Sequence, residues 1–114
     1  MELTLRLGIL RDADQLSEEN YDKIMEIIEY FEREKGVKLL EENAAMFITH
    51  LCAALKRIDE DNLVNEMDEE IRLVLQCEDK YKDAIKIIED LEKILGSIPK
   101  SEIDFLVMHV CSLV

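Results

Sequence analysis

Residues 17–36 read SEENYDKIMEIIEYFEREKG, and this stretch indicates the fold class because each of its features favours a helix. Ser17 is suited to cap the helix, and Glu18 and Glu19 follow in the first turn, where the helix dipole favours negative charge. Gly36 is a natural end. The apolar stripe has helical spacing and consists of Tyr21, Ile24, Ile27, Ile28 and Phe31. The sequence therefore predicts an amphipathic helix here.

The chain after this stretch predicts four further helices. Apolar spacing places three of them at about residues 40–58, 63–76 and 79–95. The last starts near Pro99, which suits a first helical turn, and reaches the C-terminus. The predicted helix at about residues 63–76 has a buried stripe that consists of Val64, Met67, Ile71, Val74 and Leu75. Short connections and the low counts of Gly 3 and Pro 1 favour an all-α fold, a five-helix antiparallel bundle.

The N-terminal residues allow two interpretations. Leu3, Leu5, Leu7 and Ile9 alternate as in a strand, whereas Leu3, Leu7 and Leu10 also suit a helix. We favour a strand or extended arm, which a dimer could exchange between subunits. A length of 114 residues predicts one domain, with residues 1–14 as the arm and residues 15–114 as the helical core.

Composition argues against several function classes. The net charge of -13 opposes direct binding to nucleic acid or to anionic membranes and favours a basic partner surface. The N-terminus lacks a signal peptide, and no apolar run is long enough to span a membrane. Three cysteines without a CxxC motif indicate reduced thiols. We therefore expect a cytoplasmic protein.

The two histidines occupy matching positions in two apolar helices. On a helical wheel, His50 lies on the flank of its apolar stripe, beside Asn43, Met46, Ala54 and Arg57. His109 lies on the equivalent flank of the last helix, with Glu102 two turns before it. A half-buried structural imidazole is the ordinary interpretation of each. Two in matching positions also suggest that a pocket or partner reaches them.

Metal binding and enzymatic catalysis fit this pattern poorly. Each histidine is followed two residues later by a cysteine, but such residues point about 200° apart on a helix and cannot share a metal ion. Cys52 and Cys111 have apolar neighbours and lack the cationic setting of a nucleophile. No glycine-rich turn offers an oxyanion hole or a phosphate cradle. We expect neither an enzyme nor a metal or cofactor site.

Phosphoryl acceptance is the remaining chemistry of these imidazoles. An unprotonated imidazole is a competent nucleophile near neutral pH. A phosphoryl group adds about two negative charges, which a nearby cation would stabilise. Arg57 lies two turns beyond His50 and is a candidate for this role. Arg57 could instead stabilise the helix end or pair with a carboxylate, and we favour this simpler interpretation.

Two strings carry a family resemblance. Residues 42–58, ENAAMFITHLCAALKRI, and residues 98–110, IPKSEIDFLVMHV, resemble the two histidine signatures of the phosphotransferase-system regulation domain (PRD). Pro99, Glu102 and Phe105 have the spacing of the second signature relative to its histidine. The resemblance covers about residues 17–114.

The resemblance implies a function and a set of partners. It implies an all-helical domain that forms a homodimer and is phosphorylated on His50 and His109 by the histidine phosphocarrier protein or a sugar-permease component. Many members have an aspartate before the first histidine, where this chain has Thr49. We expect one copy acting alone as a regulator of sugar uptake or of transcription through a partner. The alternative is a helical dimerisation or interaction module with structural histidines.

Overall fold

The computed structural model describes residues 2–62 and 66–114, and this part of the chain contains six α-helices and no strand. The helices are α1 (Leu3–Asp12), α2 (Glu18–Lys35), α3 (Glu41–Asp59), α4 (Glu69–Gln76), α5 (Tyr81–Leu95) and α6 (Lys100–Cys111). The prediction of an all-α fold is confirmed. The predicted count of five is wrong, because the N-terminal residues add a sixth helix.

The N-terminal segment is helical, so the expectation of a strand or extended arm is wrong. In α1 the residues Leu3 and Leu7, one helical turn apart, are buried, whereas Leu5 and Ile9 are exposed. α1 packs against α2. Burial at i and i+4 satisfies the helical spacing and leaves the other two apolar side chains outside. The strand-like alternation arose because the exposed positions are also apolar.

The second helix begins and ends where the sequence predicts. The Oγ atom of Ser17 accepts a hydrogen bond from the Asn20 N–H at 3.1 Å, which satisfies one of the orphan donors of the first turn of α2. Gly36 follows the helix with φ 65°, a left-handed conformation that glycine adopts without strain. The N–H of Val37, the residue after Gly36, donates to the carbonyl of Phe31 at 3.0 Å.

Contacts within the chain divide it into two compact units, Met1–Lys56 and Arg57–Val114, with the boundary inside α3. The core of the first unit is built around an aromatic pair. The rings of Phe31 and Phe47 meet edge to face with centroids 5.8 Å apart, and both side chains are buried. The fully buried side chains of the same unit also include Leu7, Ile24, Ile27, Ile48 and Leu51.

The core of the second unit is aliphatic. α5 and α6 pack against each other across the short connection at residues 96–99. The buried side chains of these two helices include Ala84, Ile87, Ile88, Leu91, Leu106, Val107 and Val110. Among them lies one charged residue, Glu102, whose side chain is fully buried.

Three details of the second unit differ from the predictions. The predicted start of the third helix at residue 63 lies outside the described residues, and the helix α4 begins only at Glu69, where the Asp68 carboxylate accepts from the Glu70 N–H at 2.9 Å. Ile71 and Val74 of its predicted buried stripe are exposed, so that part of the prediction is wrong. The last helix ends at Cys111, short of the C-terminus.

Candidate functional site

The first candidate residue, His50, lies on α3 in the first unit and is half-buried. Its two sequence neighbours differ in solvent exposure, because Leu51 is fully buried whereas Thr49 is exposed. The position on the flank of the apolar face follows from this sequence of exposures. The Nε2 atom of His50 is buried. A molecule in solvent therefore cannot contact the Nε2 atom directly.

The second candidate residue, His109, lies near the end of α6 in the second unit and is also half-buried. Burial lowers the pKa of its imidazole from the ordinary value of 6.5. The imidazole is therefore predominantly neutral at physiological pH. The backbone carbonyl of His109 accepts a hydrogen bond from the Ser112 hydroxyl at 2.7 Å, at the point where the helix ends.

Arg57, the third candidate, binds the carboxylate of Glu102 with two parallel hydrogen bonds. Its Nε atom donates to Oε2 at 2.9 Å and its Nη2 atom donates to Oε1 at 3.0 Å. The Arg57 side chain is 23% exposed and that of Glu102 is 0% exposed. The hydrogen bonds to Glu102 raise the pKa of the guanidinium. Arg57 thus pairs with a carboxylate, as the simpler interpretation had it, and its role towards a phosphate stays a prediction.

Sequence reasoning does not identify Glu102 as the partner of Arg57. Arg57 follows His50 by seven residues, and Glu102 precedes His109 by seven residues. Opposite charges at mirrored offsets from two histidines were the available signal. A pairing across 45 positions of the chain cannot be deduced from the periodicity of either helix alone.

The first unit contains a similar pair in a more open setting. The guanidinium of Arg6 on α1 binds the carboxylate of Glu41, which opens α3. Both side chains are partly exposed. The hydrogen bond to Glu41 raises the pKa of Arg6, and the same bond lowers the pKa of Glu41. The pair connects the N-terminal helix to the start of the helix that carries His50.

The cysteines differ in exposure and none is in a disulfide. Burial raises the pKa of Cys52 to about 11, so the thiol stays protonated at neutral pH. Burial also raises the pKa of Cys111, and the negative charge of Glu78 adds to this effect. Cys77, in contrast, is exposed at the end of α4. Protonated thiols are poor nucleophiles, which makes Cys52 and Cys111 unsuited to covalent catalysis.

Across residues 2–62 and 66–114, no group of three or more His, Cys, Asp or Glu side chains is close enough to hold a metal ion. In the same part of the chain, no helix has both the length and the apolar character that a membrane crossing requires.

Comparison with known proteins identifies one family. The model of the PRD domain family matches residues 25–113, which include both histidines, Arg57 and Glu102. Searches among curated proteins and among solved structures found no match. The match extends over most of the chain and agrees with the resemblance of the two histidine-containing strings. The chain therefore belongs to the PRD domain family, the regulatory domains of the phosphotransferase system.

Proposed function

We propose that this domain accepts a phosphoryl group on His50, His109 or both and thereby modulates a partner that controls sugar uptake or transcription. The donor in this proposal is the histidine phosphocarrier protein or a sugar-permease component of a bacterial phosphotransferase system. The domain acts in the cytoplasm as a homodimeric regulator and catalyses no reaction of its own. Membership of the PRD domain family is the observation that carries the proposal.

The environment of His109 supports phosphoryl transfer to its ring. Because burial lowers its pKa, the imidazole retains a nitrogen lone pair over the neutral range. This lone pair attacks the phosphorus of the donor phosphohistidine, and a new N–P bond forms as the donor's N–P bond breaks. The electron pair of the broken bond returns to the donor nitrogen. The acceptor ring releases its N–H proton and the donor ring takes up a proton, so both rings end neutral. The phosphoryl group adds about two negative charges.

The added charge arrives on a helix that already carries two carboxylates held by arginines. Glu102 binds Arg57, and Asp104 binds the Nε atom of Arg72 at 3.0 Å. Glu102 precedes His109 by seven residues, so their side chains project from one face of α6 about 10 Å apart along its axis. A dianion on His109 repels the Glu102 carboxylate and attracts Arg57. Loosening of this buried pair is the proposed first consequence of phosphorylation.

Phosphoryl transfer to His50 has a different requirement. Its Nε2 atom is buried, so transfer to that atom needs the covering groups to move first. Thr49 occupies the preceding position and is exposed. Its neutral hydroxyl brings no negative charge that could orient or activate the ring. These features favour His109 as the faster acceptor.

Phosphorylation assays with purified components test the proposal directly. The chain is incubated with radiolabelled phosphoenolpyruvate and the general phosphotransferase proteins, including the histidine phosphocarrier protein. We expect an acid-labile, base-stable label that decreases in His109→Ala and disappears in the double variant with His50→Ala. Ile9→Ser, at an exposed position of α1, is the matched control and keeps the label. Absence of label, or label that survives in the double variant, contradicts the proposal.

A second candidate function is a helical dimerisation or interaction module whose histidines are structural. The half-burial of both imidazoles and the exposed apolar side chains favour this alternative. It predicts that the double alanine variant loses stability yet keeps its self-association. Sedimentation velocity measures the self-association of the double alanine variant, and urea unfolding of the same sample measures its stability. The phosphorylation proposal instead expects this variant to keep most of its stability and to lose control of its partner.

A further inference from the structure

A groove of about 320 Å³ lies between α4 and α6 in the second unit. Its walls are mostly apolar and come from Ile71, Val74 and Leu75 on α4 and from Met108 and Cys111 on α6. Glu78 supplies a carboxylate to the lining just after the end of α4. Neither histidine lines the groove, although Met108 and Cys111 flank His109 on α6.

The α4 side of the groove leaves apolar side chains exposed to solvent. Of the α4 residues that line the groove, Leu75 is buried, whereas Ile71 is 54% exposed and Val74 is 66% exposed. A helix of eight residues is too short to be stable alone and depends on the cover of its apolar positions. Ile71 and Val74 lie three residues apart on the groove side of α4, and exposed apolar side chains grouped in this way are typical of an interaction site.

The two walls are held in place by one arginine. The Nε atom of Arg72 on α4 binds Asp104 on α6 at 3.0 Å, and its Nη1 atom binds Glu69 at 2.9 Å. Asp104 precedes the groove residue Met108 by one turn of α6. This link fixes the spacing of the helices beside the groove. The groove is therefore preformed, which reduces the entropic cost of filling it.

The charge beside the groove selects the kind of occupant. Residues 66–79 contain six acidic side chains and one basic side chain, Arg72. Because Arg72 already binds Asp104 and Glu69 and also pairs with Glu66 at 3.9 Å, it does not offset Glu70, Glu78 or Asp79. An apolar groove with an acidic margin complements a helix that has an apolar stripe flanked by lysine or arginine. A second copy of this chain, with its net charge of -13, would bring like charges together.

We propose that the α4–α6 groove binds an amphipathic helix of another protein, with apolar residues at i, i+3 or i+4 and i+7 and basic residues on both sides of that stripe. The apolar residues enter between Val74 and Met108, and a basic residue pairs with Glu78. This inference goes beyond phosphoryl acceptance and does not depend on it.

Synthetic peptides test the complementarity. The full chain is titrated with a fluorescent leucine–lysine peptide of this pattern, with a leucine–glutamate peptide that has the same apolar stripe, and with a scrambled leucine–lysine peptide. We expect binding of the first peptide only, and weaker binding as the salt concentration rises. Equal binding of the lysine peptide and its scrambled form, or no binding of the lysine peptide, overturns the proposal.

Matched substitutions locate the site. We expect Val74→Ser to weaken binding of the leucine–lysine peptide about tenfold, because an apolar contact is lost. Met46→Ser removes an apolar side chain that is 74% exposed in the first unit and leaves the affinity unchanged. Glu78→Gln weakens binding about threefold and reduces its salt dependence, whereas Glu89→Gln on the exposed face of α5 changes neither. Equal effects within either pair overturn the proposal.

Self-association is a separate outcome. If sedimentation equilibrium gives a dimer of the chain that Val74→Ser dissociates and Met46→Ser does not, the groove is an interface between copies and the proposed occupant is wrong. A dimer that withstands Val74→Ser, together with peptide binding, supports the proposal because self-association then uses another surface.

Discussion

The two units of the chain stabilise their interiors in different ways. The first unit buries an edge-to-face pair of phenylalanines and keeps its main arginine–glutamate pair partly exposed. The second unit has an aliphatic core and buries the glutamate of its own arginine–glutamate pair completely. The arginine–glutamate pair is thus partly exposed in the first unit, whereas in the second unit its glutamate is fully buried. The comparison teaches that burial, more than pair type, decides what a contact contributes.

The largest expected effect is loss of the aromatic pair in the first unit. Phe31→Ala removes a fully buried ring that contacts Phe47 and leaves a cavity, which should lower the free energy of unfolding by about 4 kcal/mol. Phe105→Ala makes the same chemical change at a half-buried position of the second unit and should cost less. Urea denaturation followed by circular dichroism measures both. Equal losses would show that the ring environments do not differ as described.

The next effect separates the two arginine–glutamate pairs. Arg57→Ala deprives a fully buried carboxylate of its guanidinium and should lower the free energy of unfolding by about 3 kcal/mol. Arg6→Ala breaks a pair whose partners both reach solvent, so the loss should be clearly smaller. A double substitution of Arg57→Met with Glu102→Leu should recover most of the stability, since no buried charge remains. Equal destabilisation by the two single substitutions would contradict the contrast in burial.

A smaller effect tests whether the Ser17 cap stabilises the start of α2 in the first unit. Ser17→Ala removes the side-chain acceptor of the Asn20 N–H and should lower the free energy of unfolding by about 1 kcal/mol. Ser17→Asp retains an acceptor and should preserve the stability. Thermal or urea unfolding of the three proteins measures this, and a Ser17→Asp protein as unstable as Ser17→Ala would argue against capping as the cause.

The smallest effect is a pH dependence in the second unit. Burial holds the pKa of His109 below its unfolded value of 6.5, so the unfolded chain binds a proton more readily. The free energy of unfolding should therefore decrease as the pH falls from about 7 through 6.5 and level off below the folded-state pKa. His109→Gln lacks this contribution, and the difference between the two unfolding curves isolates it from other groups. A difference that does not change between about pH 7 and 5.5 would contradict the effect of burial.

The comparison of α2 with α4 shows which features of a helix the sequence could predict. The bounds of α2 follow from local chemistry, since Ser17 caps its start, Gly36 ends it and the apolar stripe lies between them. In α4 the apolar residues occur on more than one face, and periodicity does not tell which face another helix will cover. Periodicity therefore predicts that Ile71 and Val74 are buried, although both are exposed.

The candidate site shows the same limit. The sequence predicted that His50 and His109 lie on the flanks of apolar stripes, and both are half-buried in agreement with that position. Their role as phosphoryl acceptors stays a prediction. The partner of Arg57 could not be predicted, because helical spacing places a charge on a face without specifying what lies opposite.

The sequence by itself determined the all-helical class, the caps and ends of α2, and membership of the PRD domain family through two histidine-containing strings. Only the tertiary structure decided that the N-terminal segment is a helix, because burial of Leu3 and Leu7 selects helical spacing over alternation. It also decided that Glu102 is buried against Arg57 and that α4 leaves apolar side chains exposed. Local sequence fixes backbone preference, whereas the packing of distant segments fixes which side chains lose water.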